Sequence, residues 1–299
     1  MNARQSGLPH PFIRTKPGAE AVASATSAAT APAAPAPAFE TLAARFRPIF
    51  ARIAERAAER EHDRELPFDA VGWLREARFG ALRVPVEHGG FGASVEQFFA
   101  LLIELAEADS NLPNILRAHF GQIERLYAEI DPAHRAPWLE RAAAGEIFGN
   151  ATTEIGDGAL GQPVTRITRQ HGALRLNGTK YYSSGSLYAD WIAVSAQLQE
   201  EGVAGGAEQP VIALVRADAP GVERIDDWKG FGQRLTGSGT TRLTDVEVDP
   251  ASIWPCARSS TARPCNSWPP ATRCTAWPAT AASRSGMRPR CRPRPPCCA

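Results

Sequence analysis

Four groups of side chains in this sequence have the types and spacing to do chemistry. A histidine titrates near neutrality and can donate or accept a hydrogen bond, and amide and hydroxyl groups can satisfy a polar ligand in both directions. A tryptophan can stack against a ligand or bury a large apolar area. In chain order the groups are His119; Asn150, Thr152 and Thr153; Ser183, Ser184 and Gly185; and Trp228.

Each of these groups also has an ordinary structural explanation. A single histidine on a helix is more often structural than functional. Threonines on a strand commonly hydrogen-bond at a sheet edge, a Ser-Gly pair favours a β-turn, and a tryptophan packs well in any core. The residue types alone therefore leave both interpretations open for every group.

Helical periodicity before residue 145 predicts the elements that carry the histidine. Apolar residues recur at three- and four-residue steps from Phe39, and Pro48 either kinks this helix or marks its true start. Ser94 can cap another helix. The charged run at 55–65 fits a solvated helical face with i,i+4 pairs. Further helices are predicted at 67–80, 113–128 and 132–144.

At Gly145 the pattern changes to short alternating runs of β-branched and aromatic residues separated by turn residues. The pair Asn177-Gly178 joins two of these runs and is the strongest hairpin signal in the chain. Residues 199–209 fit a solvated loop. We predict an α+β protein, with an all-α domain at 38–145 followed by a β-barrel-like domain at 146–254.

Charge and composition exclude several classes of partner. Residues 1–255 carry 25 basic and 32 acidic side chains, a net charge of −7, which is not the basic surface of a nucleic-acid-binding protein. No run approaches the ~18 apolar residues of a membrane span. The absence of cysteine before residue 256 fits a cytoplasmic protein. The Ala- and Pro-rich residues 1–37 can bury too little apolar area to offset the conformational entropy lost on folding, so we expect disorder there.

The tail at 255–299 holds all six cysteines and has no Leu, Ile, Val, Phe, Asp, Glu or Lys. Its composition is typical of a GC-rich reading frame translated out of phase, and we interpret it as a frameshift near codon 254 that leaves a disordered tail. A cysteine metal site is the rival explanation. However, Cys256, Cys265 and Cys274 are nine residues apart rather than paired as C-x2-C, and no histidine follows them. We therefore predict no metal.

Three sequence blocks in order resemble one known family. They are LRVPVEHGGFGAS at 82–94, GEIFGNATTE with LNGTKYYSSGSLYADWIAV at 145–194, and APGVERIDDWKGFGQRLTGSGTTRLTDVEVD at 219–249. Together they resemble the acyl-CoA dehydrogenase superfamily, and most closely its flavin monooxygenase branch, which includes dibenzothiophene and sulfone monooxygenases. The resemblance implies a helical domain, a β-domain and a C-terminal helical bundle. The tail occupies the place of that bundle, so we expect the bundle to be missing.

The resemblance also implies an activity. The monooxygenase branch uses reduced FMN from a separate flavin reductase, together with O2, to oxygenate a small organosulfur substrate such as a sulfide or sulfone. Two alternatives stay open: an acyl-CoA dehydrogenase that uses FAD, and a truncated, non-catalytic remnant. The dehydrogenases read T-E-P-x-x-G-S-D where this chain has Thr153-Glu154-Ile155-Gly156-Asp157, without the proline. The family is homotetrameric, although a chain without the bundle need not assemble.

Site residues follow from the same resemblance. It implies a catalytic role for His119, which would hydrogen-bond or donate a proton at the flavin edge. It implies FMN contacts for the remaining three groups, with Gly185 allowing close approach of the backbone and Trp228 walling the ring and substrate. The predicted cofactor-binding residues are Asn150, Thr152, Thr153, Ser183, Ser184, Gly185 and Trp228.

Overall fold

The computed structural model describes residues 37–127, 129, 131–156, 164–199 and 208–255. The predictions for the N-terminal 36 residues, for most of the loop at 199–209 and for the tail from residue 256, with its six cysteines, lie outside these ranges. Within them, no helix is both long and apolar enough to cross a membrane. The described residues also contain no group of three or more His, Cys, Asp or Glu placed to hold a metal ion.

The first of the described domains is helical, as the periodicity predicts. Pro48 lies inside the first helix rather than at its start. Ser94 forms a capping box, in which its side chain accepts from the Gln97 amide and the Gln97 side chain accepts from the Ser94 amide. The helices are α1 (Phe39–Ala54), α2 (Ala57–Asp63), α3 (Phe68–Glu76), α4 (Val95–Ala108), α5 (Asn111–Tyr127) and α6 (Pro132–Ala143).

Two local predictions about the helices are wrong. The predicted helix at 67–80 ends at Glu76, and a 3-10 turn follows at Phe79–Arg83. The charged run at 55–65 is not wholly a solvated face. Within α2, Arg60 is only 5% exposed, donates to Ile53 O at 2.7 Å and pairs with buried Asp109 at 3.1 Å. Its partner lies 49 residues away, so local charge spacing could not reveal the pair.

The described residues of the second domain form one eight-stranded sheet in the order β6-β7-β3-β2-β4-β5-β8, with β1 paired to β4 off this path. Most neighbours are antiparallel, but β1 and β2 each run parallel to β4. The strands are β1 (Phe148–Ala151), β2 (Arg166–Gln170), β3 (Ala173–Lys180), β4 (Trp191–Gln199), β5 (Gln209–Arg216), β6 (Val222–Ile225), β7 (Thr240–Val248) and β8 (Ile253–Pro255).

The predicted hairpin at Asn177-Gly178 is wrong, because this pair lies inside β3. The turn between β2 and β3 is made by His171 and Gly172, whose φ values of 51° and 82° are both positive, as a two-residue hairpin turn requires. Gly178 instead lies at a register shift between β3 and β7. A Cβ there would come within 2.3 Å of Thr165 Oγ1, so close packing, not a turn, requires this glycine.

The two domains share a continuous apolar core. One cluster joins Phe46 and Ile115 of the helices to Phe148 of β1 and Trp254 of β8. A second cluster lies among the strands and includes Ile167, and its members come from most of the sheet. Because the first cluster crosses the domain boundary, the helical domain fixes the edge of the sheet where β1 begins.

Two glycines, Gly172 just before β3 and Gly178 within it, give a matched test of packing. Gly178→Ala should lower the free energy of unfolding by about 2–4 kcal/mol, since alanine is strained at the φ of +157° and its methyl group also overlaps Thr165. Gly172→Ala meets no atom within 4 Å and should cost only the ~1–2 kcal/mol of an alanine held at positive φ. Urea unfolding of both variants measures the difference, and equal losses would contradict the packing explanation.

Candidate functional site

The turn after β3 is the centre of the candidate site. The Ser183 amide donates to Gly239 O at 3.0 Å, and the Gly185 amide donates to Thr236 O at 3.0 Å, so the turn is fastened to the glycine-rich segment before β7. Gly185 has φ +80°, and a Cβ there would lie 2.3 Å from Ile115 O of α5. Gly185 is therefore required for packing against α5. The close approach of its backbone to a flavin ring stays a prediction.

The first strand lies directly against this turn. A Cβ on Gly149 would lie 2.8 Å from Ser186 Cα, so only glycine lets the two backbones approach this closely. The Ser186 hydroxyl donates to Asn150 O at 2.9 Å and ties the turn to the strand. The structure thus brings together two of the predicted groups, which lie more than thirty residues apart in the sequence.

Two oxygens at this junction are buried without a hydrogen-bond partner within the described residues: Asn150 Oδ1 and Ser183 Oγ. Ser184 differs, because its hydroxyl is 2.6 Å from Ser238 Oγ, which is in turn 2.7 Å from Thr236 Oγ1. A buried polar atom without a partner costs roughly 1–3 kcal/mol, and such atoms in a folded protein call for an explanation. A bound polar ligand would supply one.

Thr152 and Thr153 continue from β1 and contact the sheet mainly through their backbones. Thr153 is exposed, and its carbonyl accepts from the Tyr181 amide at 2.8 Å. The Thr152 carbonyl accepts from Ser195 Oγ at 3.1 Å and from Lys180 Nζ at 3.4 Å. The backbone path of this segment is therefore held firmly from the sheet side.

A buried ion pair stands behind this segment. Lys180 is fully buried, and its ammonium donates to Glu154 Oε1 at 2.6 Å. The same carboxylate accepts from the Val164 amide and from both the amide and the hydroxyl of Thr165. Burial alone raises the pKa of Glu154, but the bonds from Lys180 and Thr165 outweigh burial and lower that pKa to about 2. Glu154 is thus ionised at neutral pH, while burial lowers the pKa of Lys180 against the opposing effect of its bond to Glu154.

An aromatic pair borders the junction. The Trp228 ring is edge-on to Tyr182, with centroids 6.0 Å apart, and its indole N–H donates to Gln233 O at 2.9 Å. Tyr182 is 53% exposed and has φ 55°, an uncommon conformation for a bulky residue. Tyr182 immediately precedes Ser183 and was not among the predicted site residues. The doubled tyrosine in TKYYSS was the only local signal for it.

His119 lies behind the junction rather than in it. Its ring is completely buried, stacks on Phe148 with centroids 5.6 Å apart, and uses both nitrogens. The Phe148 amide donates to Nδ1 at 3.2 Å, so Nε2 carries the proton and donates to Gly80 O at 3.0 Å. Burial lowers the pKa of His119 to about 4, which keeps the ring neutral.

This geometry favours the structural role that the residue alone suggested over the catalytic role that the resemblance implies. A group that hydrogen-bonds or protonates a flavin needs a ring nitrogen facing the ligand. Both nitrogens of His119 instead face backbone, one from each domain. Of the predicted site residues, the structure places Asn150, Ser183, Ser184, Gly185 and Trp228 around one junction, Thr152 and Thr153 beside it, and His119 behind it.

Comparison with known proteins agrees with this architecture. Residues 39–146 match the family pattern described as acyl-CoA dehydrogenase, N-terminal domain, and residues 149–246 match acyl-CoA dehydrogenase, middle domain. The two matches are adjacent, follow the family order and together cover more than half of the chain. The chain belongs to the acyl-CoA dehydrogenase family. The acyl-CoA dehydrogenase fold accordingly accounts for the helical domain and the sheet seen here.

Individual relatives within the family include flavin monooxygenases. Dibenzothiophene monooxygenase of Rhodococcus qingshengii is 30% identical over 60% of this chain and 43% of its own length. The probable FMNH2-dependent monooxygenase SfnC of Pseudomonas putida is 28% identical over 68% of this chain and 49% of its own length. TdsC of Paenibacillus sp. A11-2, crystallised with FMN and indole, is 27% identical with a TM-score of 0.63, over 71% of this chain and 52% of its own. The chain thus spans about half the length of the relatives it matches.

The depressed pKa of His119 predicts an acid-sensitive fold. Since the ring takes up a proton near pH 6.5 when unfolded but only near pH 4 when folded, its contribution is complete above about pH 6.5 and falls as the pH drops toward 4. Between about pH 7 and pH 5 this group should cost roughly 2 kcal/mol of stability. Urea unfolding at both pH values should show that His119→Gln loses less unfolding free energy between pH 7 and pH 5 than the unaltered protein does. The glutamine side chain can still donate and accept a hydrogen bond. An equal loss in both proteins would rule out the buried neutral ring.

The buried ion pair predicts a large difference between two cations on the same strand. Lys180→Met leaves the partly buried Glu154 carboxylate without its cation, so the free energy of unfolding should fall by about 3–5 kcal/mol. Arg175→Met removes only partly exposed pairs with Asp245 and Glu247 and should cost less than ~1 kcal/mol. Denaturant unfolding of the two variants measures this, and a similar cost for both would mean that Lys180 does not hold Glu154.

Proposed function

We propose that the chain is the flavin-binding part of a two-component, FMNH2-dependent monooxygenase that acts on an organosulfur compound such as a sulfide or sulfone. The observation that carries the proposal is the pair of buried, unpartnered oxygens, Asn150 Oδ1 and Ser183 Oγ, in a fold whose relatives include FMN-dependent enzymes. In this proposal, the edge of the FMN ring lies against the junction that β1 makes with the turn after β3.

The donor set at the junction fits the edge of an isoalloxazine ring, which presents both acceptors and a donor. Asn150 Oδ1 can only accept, and so would take the ring's N–H. The Ser183 hydroxyl can donate to a ring oxygen or nitrogen. Trp228 and Tyr182 offer aromatic surface beside these groups for the ring or for an aromatic substrate. Each unsatisfied atom would thereby gain a partner of the right polarity.

The residues of this chain would hold and orient the reactants rather than carry the redox chemistry. Reduced FMN, when bound, supplies two electrons, so that one atom of O2 enters the substrate and the other leaves as water. The Lys180–Glu154 pair fixes the strand segment beside the ring, and His119 fixes the start of that strand. A separate flavin reductase would supply the reduced FMN.

The sulfur substrate is inferred from the relatives. The name of one relative, dibenzothiophene monooxygenase, specifies an aromatic sulfur compound as its substrate. In this chain, the exposed aromatic ring of Tyr182 beside Trp228 is suited to a flat, apolar substrate. The alternative of an FAD-dependent acyl-CoA dehydrogenase lacks support at the segment after Thr153, where the proline of the dehydrogenase motif is absent. A non-catalytic remnant is the remaining alternative.

Flavin binding gives the direct test of the site. Asn150→Ala and Ser183→Ala should each weaken FMN binding about tenfold, because each removes one hydrogen bond to the ring. Thr168→Ala, a polar truncation on β2 outside the proposed site, is the control and should leave FMN affinity unchanged. Quenching of FMN fluorescence on titration with protein measures all three.

Activity separates the candidate functions. With FMN, a flavin reductase, NADH and O2, the proposed enzyme converts dibenzothiophene to an oxygenated product. Oxidation of an acyl-CoA with an artificial electron acceptor, without FMNH2, would support the dehydrogenase instead. A protein that binds neither FMN nor FAD would support the non-catalytic remnant and overturn the proposal.

A further inference from the structure

The loop between β6 and β7, residues 226–239, carries Trp228 and is closed on itself by hydrogen bonds. The Asp227 carboxylate accepts from the amide and the hydroxyl of Thr240, each at 2.7 Å. The Trp228 indole N–H donates to Gln233 O at 2.9 Å. These bonds fix the shape of the loop, but they do not fix where the end that carries Trp228 lies relative to the helical domain.

Arg64 of the helical domain supplies that second constraint. It follows α2, has φ 55°, and reaches across the domain boundary. Its two terminal nitrogens donate to the two oxygens of Asp226 at 2.9 and 2.5 Å, and one of them also donates to Trp228 O at 3.1 Å. One planar guanidinium thus holds a side chain and the tryptophan's own backbone together.

The far end of the loop is also held by the helical domain. Arg234 donates to Glu61 O at 2.9 Å, and the Leu235 amide donates to Asn111 Oδ1 at 3.3 Å. Asn111 is itself oriented by Asp109, the buried partner of Arg60. Because this end is backed by a buried ion pair, the Arg64 contact is the more exposed of these two attachments to the helical domain.

We propose that Arg64 is a positioning residue for Trp228, so that the helical domain sets where the aromatic wall of the site stands. The inference rests on the proposed FMN site. Arginine is required in this role because a planar fork can meet both Asp226 oxygens and Trp228 O together, whereas a lysine ammonium is a point charge on a flexible stem. Arg64→Lys should therefore keep the charge and lose the alignment.

Stability alone does not explain this contact. The side chains of Arg64 and Asp226 are 31% and 34% exposed, and ion pairs at such positions contribute little to folding. A purely structural role predicts that Arg64→Lys is nearly silent in every assay. A positioning role predicts an unchanged melting temperature together with a changed environment for Trp228 and weaker ligand binding.

The experiment uses the full chain and compares Arg64→Lys with Arg47→Lys. Arg47 makes a similar fork to Glu104, at 2.9 Å for both bonds, between α1 and α4. The fluorescence of Trp228 is isolated by subtracting the spectrum of the same protein carrying Trp228→Phe. Its quenching by acrylamide and the affinity for FMN are then measured, with the melting temperature as the check on folding.

Arg64→Lys should increase the acrylamide quenching constant of Trp228 about twofold and weaken FMN binding about tenfold, with no change in melting temperature. Arg47→Lys should change neither quantity. Unchanged quenching in Arg64→Lys, or equal changes in both variants, would overturn the positioning role. If the unaltered chain binds no FMN, the proposed function fails, whereas the quenching comparison still decides whether Arg64 places Trp228.

Discussion

The arrangement depends on one neutral imidazole at the boundary between the domains. His119 donates to the carbonyl of Gly80 in the helical domain and accepts from the amide of Phe148, the first residue of β1. The Phe148 amide is buried and the Gly80 carbonyl is partly buried, so losing the partner is costly for the amide above all. β1 has four residues and, among the described strands, pairs only with β4, so this contact from the helical side fixes where it begins. Asn150 lies two residues farther along the same strand.

At the site, several contacts hold the backbone in place, while two polar side-chain atoms have no hydrogen-bond partner among the described residues. The Lys180–Glu154 pair, the Ser184–Ser238 contact and the close approach of Gly149 to Ser186 leave the backbone little freedom. Against this frame, Asn150 Oδ1 and Ser183 Oγ are left without partners among the described residues. A rigid backbone around a few polar atoms without partners is the arrangement expected of a binding site, because the protein groups are already ordered before the ligand binds.

Sequence patterns predicted the features that depend on neighbouring residues. Helical periodicity, the cap at Ser94 and the change to alternation at Gly145 need no tertiary information. The failures involve distant partners. Asn177-Gly178 has the sequence of a turn, but Thr165 packs against it. The partners of His119 lie 29 and 39 residues away, and no local pattern distinguishes a ring that faces a ligand from one that faces backbone.

The central claim is that His119 is a buried, neutral link between the domains, and nitrogen NMR of the imidazole tests it most directly. With histidine labelled at both ring nitrogens, the account predicts a neutral ring with the proton on Nε2 and Nδ1 as the acceptor, unchanged from neutral pH until the pH approaches about 4. Titration of His119 near its ordinary pKa of 6.5, or a proton on Nδ1, would contradict the account and would favour the catalytic role instead.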